Sequence, residues 1–227
     1  MTIAMLGVRL DLTSRSVCIG RTLRLIDAAA RSEPAPELIV LPFGCEGMGN
    51  DGDRLSNAPA ETYQGGLSAR ARDWGLYIVF GQCLPVQTGC RDAVMVVDAD
   101  GDVVVSLRGD DDSPLVSRCE AASGTLSVGM ESRVLTHPAA DCADWPLVDA
   151  LIIIGGPREG RATGRQLTKS LADYARKMEA AVFLVRPIWC AESPDSVAFS
   201  DAGLVTGRSD LAEGLIVTAE IPSGAWE

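Results

Sequence analysis

The stretch Leu67–Gly81, LSARARDWGLYIVFG, places a helix and a strand next to each other and sets the pattern for the rest of the chain. Its apolar residues first recur at helical spacing, which predicts a helix over Glu61–Trp74. Gly75 is expected to end this helix, because glycine readily adopts the left-handed conformation that closes helices. The apolar run Leu76–Phe80 then predicts a short buried strand.

The same alternation extends in both directions from this stretch. Leu38–Pro42 is a continuous apolar run typical of a buried strand, and a helix over Ile19–Ala30 and a first strand within Met1–Val8 are predicted before it. Beyond Gly81, the runs Ala93–Val97 and Val103–Leu107 flank a glycine-containing turn, which predicts a β-hairpin.

The second half is predicted to continue the alternation and to end in a hairpin. The predicted elements are a strand at Arg133–Thr136, a buried strand at Ala150–Ile154, a helix over Gln166–Glu179, a strand at Val182–Val185, and closing strands at Val197–Ser200 and Leu215–Ile221. Alternating strands and helices interrupted by antiparallel hairpins predict an α+β fold, in which mixed sheets are covered by helices on one face each.

Composition excludes several function classes. The chain has 227 residues, of which 47% are apolar, and no composition break divides it, so residues 1–227 are predicted to form a single domain. Its formal net charge of -11 has the wrong sign for nucleic acid or an anionic membrane. No apolar run approaches the roughly 20 residues that cross a bilayer, and no secretory signal is evident, so a cytoplasmic location is expected.

The cysteine and histidine content limits the chemistry further. Seven widely spread cysteines argue against a disulfide framework, and a single histidine does not complete a Cys/His zinc cluster. No metal or cofactor is predicted. A Ser-His-Asp or Cys-His arrangement would have to use His137 as its base.

Six segments, taken in order, resemble the carbon-nitrogen hydrolase (nitrilase) superfamily. They are Ile3–Met5, Glu37–Pro42, Leu67–Gly81, Arg91–Gly101, Tyr174–Val185 and Ala212–Ile221. The resemblance therefore covers nearly the whole chain. It implies a four-layer α-β-β-α sandwich that usually associates through one helical face into a dimer.

The resemblance also implies a reaction that this chain lacks the residues to perform. Members of the family use a glutamate as general base, a lysine that stabilises developing charge, and a cysteine nucleophile. The family's Leu-Pro-Glu motif reads Leu-Pro-Phe here, so Phe43 stands in place of the base. Glu46 would supply a carboxylate only after a rearrangement of its loop. Gly109 stands in place of the lysine, and it follows Arg108 and precedes three aspartates.

The nucleophile position is the most ambiguous of the three. Cys142 lies in a Cys-Ala-Asp sequence that matches the family's Cys-x-Asp spacing, but too few residues separate it from the strand at Ala150 for the expected helix. An alternative register places His137 at this position and removes the nucleophile altogether. Cys83 and Cys190 follow predicted strands and are further candidates to line a pocket.

The sequence therefore predicts a catalytically degenerate nitrilase-like protein, namely a non-catalytic scaffold, partner or regulatory subunit. The alternative is an amide or nitrile hydrolase, or an acyltransferase, with a rebuilt site around Cys142. A third hypothesis is a small-molecule ligand in the vestigial pocket. A homodimer or hetero-oligomer is also expected, because the helix Leu167–Glu179 has a broad apolar face and Trp226 lies near the end of the chain.

Overall fold

The fold is taken from a computed structural model. The structure describes residues 1–8, 15–45, 58–86, 89–109, 114–121, 123–135, 145, 147–155, 165–187, 197–200, 205–208 and 216–220. The strands are β1 (Thr2–Leu6), β2 (Leu38–Val40), β3 (Tyr77–Val86), β4 (Gly89–Val97), β5 (Val103–Arg108), β6 (Val116–Ala121), β7 (Gly124–Met130), β8 (Ala150–Ile154), β9 (Ala181–Val185), β10 (Val197–Phe199), β11 (Val205–Arg208) and β12 (Ile216–Glu220). The helices are α1 (Arg15–Ala30), α2 (Ala58–Trp74), α3 (Glu131–Val134) and α4 (Arg165–Met178).

The strands form two mixed sheets of the same design. The first sheet has the order β12-β1-β2-β3-β4-β5 and the second β11-β10-β9-β8-β7-β6. In each sheet the three central strands run parallel, and the strands that flank them run antiparallel. The carboxyl ends of the parallel strands meet at one edge of each sheet, which is where a site is expected in such folds.

Three layers of buried side chains explain the apolar runs in the sequence. In β8, Ile152 and Ile154 face the other sheet, whereas Leu151 and Ile153 pack against α4. A strand that is buried on both faces reads as a continuous apolar run rather than as an alternating one. A third layer lies between the first sheet and helices α1 and α2. The predicted α+β fold and its four-layer α-β-β-α arrangement are confirmed.

Two predicted elements of the second half are wrong. A strand was expected at Arg133–Thr136, but the short helix α3 occupies Glu131–Val134, and the two strands before it, β6 and β7, were not predicted. The expected hairpin between the last two strands is also wrong. β10 pairs with β9 and β11, whereas β12 crosses to the first sheet and pairs with β1. The turn expected between those strands lies outside the described residues.

The apolar face of α4 is covered by the chain itself. Leu167, Leu171, Tyr174, Ala175 and Met178, the residues expected to leave surface for a partner, are all buried against the second sheet and its neighbours. The expectation of surplus apolar surface on this helix is therefore wrong. Trp226 lies outside the described residues.

Within the described part of the chain, every helix is too short or too polar to cross a membrane.

Candidate functional site

Phe43, the residue that the resemblance leads us to expect in place of the family's glutamate base, lies in the core between the sheets. It follows β2, and only 2% of its surface is exposed. Its ring packs on the backbone of Gly81 in β3, where a Cβ atom would lie 2.5 Å from the ring Cγ. Since real Cβ atoms do not approach other atoms so closely, only glycine at position 81 leaves room for this ring.

The turn that carries Phe43 is fixed at several points. The N–H of Leu41 donates to the carbonyl oxygen of Val79 at 2.8 Å, and Gly44 has a φ of 83°, which favours glycine. Farther along, the Sγ of Cys45 donates to the carbonyl oxygen of Pro42 at 3.3 Å. These contacts hold the ring in the core.

Gly109, the residue that the resemblance leads us to expect in place of the family's lysine, lies at the end of β5 and next to the end of β7. Its N–H donates to the carbonyl oxygen of Asp92 at 2.9 Å. A Cβ atom at position 109 would lie 3.2 Å from that oxygen and 3.3 Å from the Sδ of Met130. The ends of β5 and β7 therefore lie close together. The side chain at this point of contact is that of Met130, which is apolar and only 2% exposed.

Arg108 does not lie in the interior. Its residue is exposed, and its carbonyl oxygen accepts a hydrogen bond from the Nη1 of Arg133 at 3.4 Å. The same nitrogen donates to the carbonyl oxygen of Pro114 at 3.2 Å. Arg133 thus donates to the carbonyl oxygens of both residues that flank the segment 109–113, Arg108 and Pro114.

The strand that precedes β8 in the second sheet is β7. It runs parallel to β8 with Met130 opposite Ile154, and α3 begins at the next residue. No cysteine, serine or threonine stands from Val128 to Glu131. A Cβ atom at Gly129 would lie 2.6 Å from the Cγ2 of Val134, so this position has no room for a side chain without a shift of α3. His137 and Cys142 lie outside the described residues.

A buried ion pair that the sequence analysis missed joins the ends of β7 and β9. The Nε of Arg186 donates to the Oε2 of Glu131 at 2.9 Å, and its Nη2 donates to Oε1. Both residues are nearly inaccessible, at 5% and 6% exposure. Two parallel hydrogen bonds are the geometry in which arginine binds carboxylates most specifically. A signal for this pair was present in the sequence, because Glu131 directly follows the buried strand β7 and Arg186 directly follows the buried strand β9.

Gly155, which follows β8, makes room for this ion pair. A Cβ atom at position 155 would meet the Oε2 of Glu131 and would lie 2.6 Å from the Cγ of Arg186. The three residues that follow the parallel strands β7, β8 and β9 therefore pack closely against one another. They are Glu131, Gly155 and Arg186. Both carboxylate oxygens of Glu131 accept hydrogen bonds from Arg186. The carboxylate is therefore part of the packing and is not available as a general base.

The described thiols do not have the surroundings of a nucleophile. Cys18, Cys45 and Cys119 are buried and take no part in disulfide bonds. Burial raises the pKa of the Cys119 thiol, and the neighbouring Glu120 carboxylate raises it further, whereas a reactive cysteine needs a lowered pKa. Cys83 takes part in a disulfide bond, which the sequence analysis did not foresee. Cys190 lies outside the described residues.

Among the residues that the structure describes, no three histidine, cysteine, aspartate or glutamate side chains come together in a way that would hold a metal ion.

Comparison with known proteins gives structural matches only. No protein-family profile matches the sequence, and no curated protein matches it. Among solved structures, a mutant of the Nesterenkonia AN1 amidase from the nitrilase superfamily superposes with a TM-score of 0.77 at 16% identity, over 98% of this chain and 90% of that one.

Two further structures of an amidase from Nesterenkonia sp. AN1 show ligands. A double mutant in complex with acrylamide has a TM-score of 0.78, and a mutant with the acetamide moiety of fluoroacetamide bound covalently at the active-site cysteine has a TM-score of 0.77. Each is 16% identical to this chain, and each alignment covers 98% of this chain and 90% of the other. The chain therefore has the fold of the nitrilase superfamily.

Proposed function

We propose that this chain is a non-catalytic protein with the nitrilase fold, which serves as a scaffold, partner or regulatory subunit. The observation that carries the proposal is the buried contact of Phe43 with Gly81, because it fills with an aromatic ring the position at which the reaction needs a proton acceptor. Fold alone does not supply activity when the reacting groups are missing.

The nucleophile position supports the same proposal. In the family pattern, the cysteine follows an apolar strand that leads through a helix to the next strand of the sheet. Here that succession is β7, α3 and β8, so we assign the position to Gly129–Glu131 rather than to the His137/Cys142 region. The assigned residues contain neither a thiol nor a hydroxyl group. Cys142 would then lie between α3 and β8, away from the family's position.

The surroundings of Gly109 support the same proposal. A lysine here would have to pass its side chain by the carbonyl oxygen of Asp92 and the Sδ of Met130, which lie close to where its Cβ would stand. The position therefore lacks the cation that stabilises developing charge in the family's reaction.

A second candidate function is supported by the comparisons. The solved structures described above are those of an amidase, which favours hydrolysis of a carbon-nitrogen bond, with Cys142 as the nucleophile of a rebuilt site. Acyl transfer would use the same thiol. Binding of a small molecule in the vestigial pocket and association with a second protein remain compatible with either candidate.

Alkylation by small amides separates the two functions. The protein is incubated with acrylamide or fluoroacetamide at neutral pH, and intact-mass spectrometry follows the adducts on the native chain, on the urea-unfolded chain and on Cys142→Ser. The proposal predicts no adduct that forms faster on the native chain than on the unfolded one. A single fast native adduct that Cys142→Ser abolishes would favour the hydrolase. The serine variant is the matched control because it changes one atom of the side chain.

A further inference from the structure

The outer surface of helix α1 is positively charged, although the chain as a whole carries a formal net charge of -11. Five exposed residues recur at intervals of three or four, so they form one stripe along the helix and just beyond its end. They are Val17, Gly20, Arg24, Ala28 and Arg31. The stripe carries two arginines and no acidic residue.

The single acidic residue of α1, Asp27, does not neutralise this stripe because it faces α2. Its carboxylate accepts a hydrogen bond from the Nε1 of Trp74 at 3.0 Å and another from the Nη2 of Arg70 at 3.4 Å, so its charge is offset within the helix pair. Among the residues that the structure describes, no carboxylate pairs with Arg24 or Arg31. Both guanidinium groups can therefore pair with carboxylates of another molecule.

Trp74 adds an exposed aromatic ring beside the end of the stripe. The guanidinium of Arg31 lies over this ring, 5.1 Å from its centre, and 38% of the Trp74 surface is exposed. Tryptophan and arginine are among the residues that most often dominate binding at protein interfaces. Among the described helical residues, large apolar side chains are exposed only on α1 and α2, at Val17 and Trp74. The outer face of α1 and α2 is therefore better suited to a protein partner than that of α4.

The spacing of the two arginines selects the occupant. Arg24 and Arg31 are seven residues apart, which is two helical turns and about 10 Å. A partner helix with carboxylates seven residues apart presents them at the same spacing. Gly20 and Ala28 are small, and a Cβ atom at Gly20 would meet nothing within 4 Å, so the backbone of such a helix can approach closely. Two arginines on an acidic chain would neutralise too few phosphates to hold nucleic acid.

We propose that the outer stripe of α1, together with Trp74, binds an acidic helix of another protein, whose carboxylates pair with Arg24 and Arg31. The inference rests on the proposed role as a partner or regulatory subunit, and it names the chemistry of the other protein. Docking at this stripe leaves the core between the sheets untouched, because α1 covers the opposite face of the first sheet.

Two synthetic peptides test this surface on the full chain. Both are fluorescein-labelled, alanine-rich helices of about 20 residues with a leucine stripe, and they carry either glutamate or lysine at every seventh position. Binding is followed by fluorescence anisotropy at about 0.15 M salt, where interactions between charges more than about 8 Å apart are largely screened. The wild type should bind the glutamate peptide saturably. The variant Arg24→Glu/Arg31→Glu should bind it about tenfold or more weakly and should bind the lysine peptide instead.

The control is Lys169→Glu, which makes the same change of charge at an exposed position of α4 and should leave binding of the glutamate peptide unchanged. Circular dichroism establishes that each variant is folded. The inference would be overturned by a lack of saturable binding below about 1 mM, by an equal loss in the control, or by tighter binding of a single-stranded DNA of the same charge. Absence of peptide binding would leave the non-catalytic proposal intact, and amide turnover would leave the docking surface intact, so the two failures are distinguishable.

Discussion

The ring of Phe43 and the backbone of Gly81 are fitted so closely that a Cβ atom on Gly81 would lie 2.5 Å from the ring Cγ. The contact joins the turn after β2 to the adjacent strand β3 and belongs to the core between the sheets. The turn after β2, where the resemblance leads us to expect the family's proton acceptor, is therefore part of the packing of this chain.

This contact predicts that Gly81→Ala destabilises the fold. The added methyl group would meet the Phe43 ring in a packed core, so the free energy of unfolding should fall by about 1–3 kcal/mol in urea titrations. Gly65→Ala is the matched control, because a Cβ atom at that position of α2 meets nothing within 4 Å. The control should be neutral or stabilise by up to about 1 kcal/mol. Equal losses in both variants would contradict the close contact.

Restoring the family's residues should not restore activity. Phe43→Glu places a carboxylate in a core position that is 2% exposed, which should cost about 3 kcal/mol or more of unfolding free energy. Phe43→Leu keeps the position apolar and should cost about 1 kcal/mol. Combining Phe43→Glu with Gly109→Lys should give no hydrolysis of amides, since the assigned nucleophile position has no thiol. Ammonia release above the background of heat-inactivated protein would count against this assignment.

The contributions of Glu131 and Arg186 to the free energy of unfolding should depend on each other, because the two side chains form a buried ion pair. Arg186→Met leaves the Glu131 carboxylate buried without its partner and should cost about 3–5 kcal/mol. The double variant Glu131→Leu/Arg186→Met removes both charges and should be markedly more stable than either single variant in a double-mutant cycle. Arg118→Ala breaks an exposed pair and should have no measurable effect. Additive single-variant costs would show that the two side chains do not act together.

Glu37 should make stability depend on acid pH. The Ser123 hydroxyl donates to its carboxylate and lowers the pKa, and the N–H of Thr2 adds to this effect, while partial burial opposes it. Because the folded pKa lies below the unfolded one, the stabilisation is present above about pH 4.5 and is lost as the pH falls through the folded value.

The variant Ser123→Ala removes the main cause of that shift. Its stability deficit relative to the wild type should therefore be largest near neutral pH and should shrink below about pH 4.5. Urea titrations across the acid range measure this difference. A deficit that stays constant with pH would mean that the hydroxyl does not stabilise the ionised carboxylate.

The sequence predicted the parts of the fold that are buried on both faces. β2, β8 and β9 are apolar runs because one face meets the other sheet and the opposite face meets helices. The last five residues of β7 are also buried, but Ser127 and Gly129 interrupt its apolar pattern. Val134 approaches Gly129 so closely that a side chain at position 129 would have no room. The glycine that this packing requires breaks the apolar run by which a buried strand is recognised in the sequence.

The remaining errors come from contacts between residues distant in the chain. β12 follows β11 in sequence, but it pairs with β1 at the opposite end of the chain, and no local pattern specifies that choice. The sequence likewise predicts Phe43 and Gly109 at the positions of the family's base and lysine, but it does not show what these residues contact. The pairing of Glu131 with Arg186 depends on strand ends that only the sheet brings together.

Amide hydrolysis measured on the purified chain tests the central claim most directly. Ammonia release from acrylamide, butyramide and acetamide is followed for the wild type and for Cys142→Ala at matched concentrations. Both proteins are expected to release no more ammonia than buffer does. Steady turnover by the wild type that Cys142→Ala abolishes would contradict the account and would establish a rebuilt hydrolase site.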